Sequence, residues 1–312
     1  MPTTLILHHY PASPFSEKAR LLLGFKALPW KSVTVPSLIP KPDVQALTGG
    51  YRKTPLLQIG ADIYCDTALI ATVLEHAQPE PTLYPLQLKG LVRTFAQWAD
   101  TTLFWAAMAY NLQPRGAAAL FANTPAGAAQ AFAHDRAAMS VGMTRQRVPE
   151  ATVAYRSYLR RLAHMAEEHD FLFGAEPCIA DFAAYHPLWF TRVCVPSLAD
   201  IFDATPAITE WMDRIAAIGY GRPEKFSSSD ALTVAAAAEP LPLIGEVFQD
   251  DHGIALGTLV TVTAESFGTE PTQGELIAAT RTRYTLRRQD ERVGTVHVHF
   301  PRVGYVLKKA EV

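Results

Sequence analysis

The sequence has few cysteines, no long apolar run and almost no net charge, and each shortage excludes a class of protein. Its 312 residues include 3 cysteines without a CxxC pair, so neither a disulfide framework nor a cysteine-based zinc site is expected. No apolar run is long enough to span a membrane, and no basic stretch followed by an apolar core marks a signal peptide. A net charge of -2 gives no reason to expect nucleic acid or an anionic membrane as partner. These features together predict a cytoplasmic protein that binds neither.

The remaining composition is that of an ordinary globular protein, with 49% hydrophobic and 19% charged residues. The length allows two or three domains. Strand and helix patterns are mixed in residues 1–80, alanine-rich helical patterns fill residues 88–225, and strand patterns dominate residues 240–312. Residues 226–240 are rich in serine and alanine and are interpreted as a linker between the last two regions.

The opening segment places a serine at a predicted helix start. Residues 5–7 form a short apolar run that predicts a buried strand, and Pro14 is favoured at the first position of a following helix. Ser13 is therefore a natural N-cap. A helix N-terminus presents free N–H groups and partial positive charge, which favour an anion or a thiolate. The Ser13 hydroxyl can accept a helix N–H and donate its own proton at once, although simple capping would explain it equally.

Two further motifs follow in the same region. Thr54-Pro55 precedes an apolar strand, where a cis peptide bond is one option, and Asp66-Thr67 opens a helix with a favourable N-cap. The predicted order is strand, helix, strand, short helix, strand, strand, helix. This order indicates a compact α/β unit with both parallel and antiparallel pairing.

These motifs carry a family resemblance. Tyr-Pro-Ala-Ser-Pro-Phe-Ser-Glu-Lys-Ala-Arg at 10–20, the step at 53–56 and Asp66-Thr67 resemble the N-terminal domain of cytosolic glutathione S-transferases. The resemblance implies a thioredoxin-like fold and glutathione as cosubstrate, without a metal. It implies that Ser13 is the catalytic residue, as in Ser-type and Cys-type members. It also implies that Thr54-Pro55 is the cis-proline step that binds the glutathione cysteine backbone, and that Asp66-Thr67 holds the γ-glutamyl group.

The glutathione contacts predicted in this way are Phe15, Lys41, Lys53, Thr54, Pro55, Asp66 and Thr67. The cation for the glycine carboxylate stays open between Lys53, Arg52 and Lys41. The residue whose hydroxyl contacts the sulfur also stays open between Ser13, Ser16 and Tyr10. Ser16 lies one short turn beyond Ser13, and some classes of the family use a tyrosine near the position of Tyr10.

The helical region resembles the family's all-helical second domain, which holds the second substrate. The residues predicted to contact an apolar electrophile are Tyr10, Phe104, Trp105, Met108 and Trp189. One departure concerns the capping box before Asp181, where Cys178 replaces the usual serine or threonine. A thiol caps more weakly than a hydroxyl, so we expect a weaker helix start there.

The last region lies outside the resemblance, which covers roughly residues 1–225. Alternating strands separated by glycines predict a small antiparallel β domain, with a barrel as one arrangement. His297 and His299 share one strand face and could hold a metal, but two histidines without a nearby carboxylate or cysteine are usually structural. The basic stripe at 281–288 is offset by acidic neighbours, which favours a solvated face over a nucleic-acid site.

The sequence therefore leaves two functional hypotheses. The first is a glutathione transferase that conjugates glutathione to a hydrophobic electrophile, with an isomerase or dehalogenase open because the same thiolate serves those reactions. The second is a non-catalytic protein of the same fold that uses its β region to recruit a partner or to build an oligomer. Members of the family are commonly homodimers, so a homodimer is expected.

Overall fold

The structure, a computed structural model, describes residues 4–243 and 247–311 of the chain. A thioredoxin-like α/β unit packs against an all-helical domain, and a C-terminal stretch of strands follows, so the fold class predicted from the sequence is confirmed. Within the described ranges, none of the helices combines the length and apolar content needed to cross a membrane.

The strands of the described residues form a ten-stranded sheet in the order β10-β6-β7-β8-β9-β4-β3-β1-β2-β5. Their bounds are β1 Leu5–His9, β2 Pro29–Thr34, β3 Leu56–Ile59, β4 Asp62–Cys65, β5 Arg222–Lys225, β6 Leu259–Ala264, β7 Thr272–Ala279, β8 Arg283–Asp290, β9 Gly294–Pro301 and β10 Tyr305–Lys309.

The α-helices lie on both faces of this sheet and in the second domain. Their bounds are α1 Pro14–Phe25, α2 Pro42–Thr48, α3 Thr67–Ala77, α4 Lys89–Trp98, α5 Phe104–Asn111, α6 Pro114–Leu120, α7 Ala128–Met139, α8 Val148–Glu168, α9 Ile179–Trp189, α10 Pro206–Ala217 and α11 Ser228–Ala236. A π-helical segment, Ala99–Leu103, joins α4 to α5 as one continuous helical rod.

Strand β1 separates two hydrophobic cores. Successive residues of a strand point to opposite faces of the sheet. Leu5 and Leu7 belong to a core shared with α1 and the helical domain, whereas Ile6 belongs to a second core shared with Val298 and Phe300 of β9. The C-terminal strands thus bury their apolar side chains in the same core as one face of the N-terminal sheet.

The C-terminal strands, predicted as a small antiparallel β region, continue the N-terminal sheet. β9 pairs in parallel with β4, and Asp62 lies opposite His297. The sheet curls enough to bring the ring centroids of Phe300 and Tyr305 within 5.6 Å. In the part of the chain that the structure describes, however, β10 pairs with β6 and the hydrogen-bonded order stays open, so the barrel arrangement is not formed.

The predicted linker differs as well, because residues 226–240 contain helix α11. The Oγ of Ser227 caps this helix by accepting the N–H of Asp230 at 3.0 Å. Ala231 and Leu232 are buried in the second core. The small side chains that suggested a flexible connection instead allow the helix to lie close against the sheet.

The capping box with a cysteine is fully formed at the start of α9. The N–H and the Sγ of Cys178 both donate to Oδ2 of Asp181, at 3.0 and 3.4 Å. The other carboxylate oxygen accepts the N–H of Leu172 and the indole N–H of Trp211. Four donors therefore satisfy a buried carboxylate, and the replacement of a hydroxyl by a thiol leaves the box intact.

Two adjacent histidines of β1 are buried in uncharged form. Nε2 of His8 lies 2.8 Å from Oε1 of Gln58, and Nε2 of His9 lies 2.8 Å from Oγ of Ser32. Burial lowers the pKa of both imidazoles from 6.5 to about 4, and the nearby Arg20 guanidinium lowers the pKa of His9 further. Both rings must acquire a proton when the protein unfolds in mild acid.

Acidification should therefore destabilise the protein, in part through His8. Between pH 6.5 and pH 4 the unfolded chain binds more protons than the folded chain. The contribution of His8 to the free energy of unfolding is therefore largest above pH 6.5 and decreases as the pH falls toward 4. Each such histidine contributes a slope of up to ~1.4 kcal/mol per pH unit. Urea unfolding at several pH values measures the slope. His8→Asn, which keeps a donor for Gln58, should reduce this slope by about the contribution of one histidine. An unchanged slope would contradict this account.

Candidate functional site

Three loops meet at one end of the N-terminal sheet because the strand register places them there. His8, near the end of β1, lies opposite Leu56, which begins β3. Leu56 in turn lies opposite Cys65, the last residue of β4. The start of α1, the Thr54–Pro55 step and the start of α3 therefore adjoin one another. The Thr54–Pro55 peptide bond is cis, the option that the sequence left open.

Ser13 caps α1 and keeps a proton to donate. Its Oγ accepts the N–H of Ser16 at 3.1 Å, and the residue is only 2% exposed. No acceptor within the described residues takes its hydroxyl proton. The hydroxyl can therefore donate to a ligand atom at the helix N-terminus, where the helix dipole favours negative charge.

The two alternatives to Ser13 have different surroundings. Oγ of Ser16 is buried in the first turn of α1, without a hydrogen-bond partner among the described residues. Tyr10 is partly exposed, and its hydroxyl lies 3.5 Å from the guanidinium of Arg136. Of the three hydroxyls, that of Ser13 lies at the helix start and is oriented there by a helix N–H.

Asp66 and Thr67 open α3 from an unusual backbone conformation. Asp66 has a φ of 77°, which residues with a side chain rarely adopt and which the surrounding contacts must hold. Its Oδ1 accepts the N–H of Ala68 at 2.9 Å, and its Oδ2 accepts the hydroxyl of Tyr305 at 3.0 Å. A carboxylate and the free N–H groups of a helix start thus lie side by side, which complements the ammonium and carboxylate of an amino acid.

Cations surround the loop before the cis-proline. Nζ of Lys41 donates to Oγ1 of Thr54 at 3.0 Å and to the carbonyl of Arg52 at 3.1 Å. Burial and two neighbouring guanidinium groups lower the pKa of Lys41 to about 8. Arg52 itself pairs with Asp135 and, at 2.9 Å, with Glu270. Since Arg52 already has two carboxylate partners, Lys41 is better placed to receive another anion.

Lys53 lies between two tyrosine rings. Its ammonium is 5.3 Å from the ring centroid of Tyr51 and 4.9 Å from that of Tyr305. A Cβ added to Gly268 would lie 3.2 Å from Cγ of Lys53, so the backbone there packs against the lysine stem. Burial lowers the pKa of Lys53, and the nearby carboxylate of Asp66 opposes that shift. Lys53 therefore belongs to the Asp66 end of the site.

The comparisons with known proteins identify the family of this chain. The model for the glutathione S-transferase N-terminal domain matches residues 7–82, and that for the C-terminal domain matches residues 145–214. A GST-like protein from Pseudomonas syringae, known from its crystal structure, is 42% identical with a TM-score of 0.83. That match covers 99% of this chain and 100% of the other, so it includes the C-terminal strands. The chain belongs to the glutathione S-transferase family.

Solved glutathione S-transferases share the fold over a smaller part of this chain. A glutathione S-transferase from Rhodospirillum rubrum F11 is 19% identical with a TM-score of 0.52, over 69% of this chain and 88% of the other. One from Methylobacillus flagellatus KT, solved with GSH bound, is 20% identical with a TM-score of 0.51, over 71% of this chain and 100% of the other. These identities show likeness of fold alone. No curated protein matches the sequence significantly.

An aromatic wall, made of Phe15, Phe104, Trp105 and Phe267, lies where the two domains meet. The ring centroid of Phe15 is 4.7 Å from that of Phe104, which is 4.9 Å from that of Trp105. Trp105 is 5.1 Å from Phe267, in the loop between β6 and β7. Phe15, predicted as a glutathione contact, packs on Phe104, which was predicted to contact the electrophile, and its contact with glutathione stays a prediction.

The other predicted electrophile contacts lie elsewhere. Trp189 packs against Arg20, whose guanidinium is 6.0 Å from the indole centroid. Arg20 lies seven residues after Ser13, which is ~10 Å along α1. Met108 is buried one turn beyond Phe104 on α5. Their contact with an electrophile stays a prediction, as does that of Tyr10, which lies beside Arg136.

Sequence reasoning missed the C-terminal residues that reach the site. Tyr305 comes from the start of β10, and Phe267, Gly268 and Glu270 come from the loop between β6 and β7. No hydrophobic period or motif spacing connects these positions with Asp66. Their proximity depends on the curl of the sheet.

The two histidines on β9 have a carboxylate beside them that the sequence did not indicate. Oδ1 of Asp62 lies 2.9 Å from Nε2 of His299 and 3.7 Å from Nδ1 of His297. The second oxygen of Asp62 accepts the N–H of Leu241 at 2.8 Å. Across residues 4–243 and 247–311, no group of three or more such ligands is arranged to hold a metal ion. The histidines join β9 to β4 through this buried carboxylate.

Proposed function

We propose that this protein is a glutathione transferase in which Ser13 stabilises the thiolate of bound glutathione for attack on an apolar electrophile. The observation that carries the proposal is the convergence of three elements at one end of the sheet. These are the hydroxyl of Ser13 at a helix start, the cis Thr54–Pro55 step, and the Asp66-Thr67 pair at a second helix start.

The site offers one group for each part of the tripeptide. The ammonium of the γ-glutamyl residue would bind Asp66, and its carboxylate would bind the free N–H groups and hydroxyl at Thr67. The cysteine backbone would pair beside Thr54, which leaves the sulfur near Ser13. The glycine carboxylate would then bind Lys41, which already donates to Thr54 Oγ1.

The energy needed to ionise the sulfur is within reach of this arrangement. A free thiol has a pKa of about 8.5, and lowering it to about 7 requires roughly 2 kcal/mol. A helix N-terminus contributes about 0.3–1 kcal/mol and one hydrogen bond to a charged group about 1.5–3 kcal/mol. Ser13 at the start of α1 supplies both, so neither a metal nor a general base is required.

The aromatic wall supports an apolar second substrate. Phe104 and Trp105 lie on the helical domain, and Phe15 connects them to the first turn of α1, close to Ser13. An electrophile packed on these rings would lie within reach of a thiolate at the helix start. The identity of that electrophile defines the class of conjugate formed.

Replacement of Ser13 by alanine should lower kcat/KM for conjugation on the order of 10- to 100-fold, because one hydrogen bond to the thiolate is lost. The pKa of the bound thiol should rise by roughly one to two units. Ultraviolet absorbance of the thiolate across pH measures the pKa, and a chlorodinitrobenzene probe measures turnover.

Ser16→Ala and Tyr10→Phe are the matched controls, since each removes one hydroxyl from the same region. Both should stay within about threefold of the parent protein. A larger loss in either control than in Ser13→Ala would assign the thiolate to that residue instead. Retention on immobilised glutathione without turnover by the parent protein would favour the non-catalytic alternative.

The affinity for S-methylglutathione, which has no thiol to ionise, should fall as the pH rises through about 8. Lys41 is protonated below its pKa of about 8 and loses the charge that attracts the glycine carboxylate above it. The dissociation constant should increase roughly 5- to 10-fold between pH 7 and pH 9, as measured by calorimetry.

Lys41→Arg is the control for this titration, because a guanidinium stays charged across the range. The ammonium of the ligand titrates equally in both proteins, so the ratio of their dissociation constants reports on Lys41. A ratio that does not change with pH would show that Lys41 does not bind the carboxylate.

A further inference from the structure

We propose that the C-terminal strands supply a positioning residue to the glutathione site, and that this residue is Tyr305 acting on the carboxylate of Asp66. The inference rests on the proposed function, since it concerns the same site. It gives residues 259–309 a role in recognising the α-amino acid end of the cosubstrate.

The turn between β9 and β10 positions Tyr305 next to Asp66. Gly304 has a φ of 86°, a conformation that favours glycine and lets the chain reverse directly before Tyr305. The Tyr305 ring then packs 5.6 Å from Phe300 and 6.3 Å from Tyr51, measured between centroids. The side chain is 5% exposed, so its orientation is fixed by packing.

The Tyr305 hydroxyl is held as a donor toward Asp66. It lies 3.0 Å from Oδ2 of Asp66 and 3.3 Å from the hydroxyl of Tyr51. The N–H of Ala68 already fixes the other carboxylate oxygen. Tyr305 therefore completes the immobilisation of a carboxylate whose own backbone, at a φ of 77°, needs external support.

An immobilised carboxylate matters because its partner would be a cation. Oδ2 of Asp66 can accept a second donor besides Tyr305, and an ammonium bound there gains most when the oxygen does not have to be reoriented. Lys53 lies between the rings of Tyr51 and Tyr305, on the same side of the site. Two opposite charges are thus held by one aromatic pair, which suits a zwitterionic α-amino acid group.

Contacts beyond β10 keep these strands in place over the site. Glu270 pairs with Arg52, and the N–H of Gly268 donates to the carbonyl of Met139 at 2.8 Å. A Cβ on Gly50 would lie 1.9 Å from the carbonyl oxygen of Pro271, so the two backbones touch there. The strands are attached to both other parts of the protein, which gives Tyr305 a fixed position relative to Asp66.

The test compares two ligands by calorimetry on the full chain. One is glutathione, and the other is N-glutaryl-cysteinylglycine, which lacks only the ammonium of the γ-glutamyl residue. Tyr305→Phe should raise the dissociation constant of glutathione about tenfold, because the Asp66 carboxylate is then no longer held in the orientation that the ammonium needs, and should leave that of the glutaryl peptide within about twofold.

Two further variants separate positioning from general stability. Tyr284→Phe removes another buried hydroxyl of the same strands, one that lies 3.4 Å from Nε2 of His252, and should leave both ligands within about twofold. In an Asp66→Asn background, Tyr305→Phe should cause no further loss for glutathione, because Tyr305 acts through that carboxylate.

The outcomes that overturn the inference differ from those that overturn the proposed function. Equal loss for both ligands in Tyr305→Phe, no loss for either, or a further loss in the Asp66→Asn background would each refute a positioning role for Tyr305. Failure of the parent protein to bind glutathione would refute the proposed function itself, and this inference with it.

Discussion

The hydrogen-bonded register of β1, β3 and β4 is the constraint on which the site depends. Because His8 lies opposite Leu56 and Leu56 lies opposite Cys65, the loops at residues 10–13, 54–55 and 66–67 share one end of the sheet. A shift of one residue in either pairing would also turn buried side chains toward the opposite core. The same hydrophobic alternation that stabilises the fold therefore fixes the positions of the candidate site residues.

The second constraint is the parallel pairing of β9 with β4. It extends the thioredoxin-like sheet with five strands whose apolar residues share a core with Ile6 and Ile63. The buried contact between Asp62 and His299, 2.9 Å long, lies across this junction. Since the added strands have a core in common with the first domain, they are part of its structure and can contribute side chains to its site.

The chemistry of the candidate site depends on the placement of its charged side chains. The ammonium of Lys53 lies against the rings of Tyr51 and Tyr305, the hydroxyl of Tyr305 donates to Asp66, and Lys41 donates to Thr54. Under the proposed function, Asp66 would face the amino acid end of glutathione and Lys41 its glycine carboxylate. The aromatic wall that includes Phe15 lies beside the start of α1.

Local rules made much of the first 225 residues predictable. Pro14 and Ser13 set the start of α1, and Gly49, with a φ of 81°, ends α2 in a left-handed conformation that favours glycine. The serine- and alanine-rich composition misled at α11, because burial of Ala231 depends on a sheet surface that the local sequence does not describe.

The sequence alone determined most elements of the first 225 residues, the cap of α1 and the three motifs, because helix starts, turns and hydrophobic periods depend on neighbouring residues. Tertiary structure decided that the last strands extend the first sheet and that Tyr305 meets Asp66 across 239 positions. Such contacts depend on sheet curl and on the packing of distant side chains. No spacing along the chain encodes either.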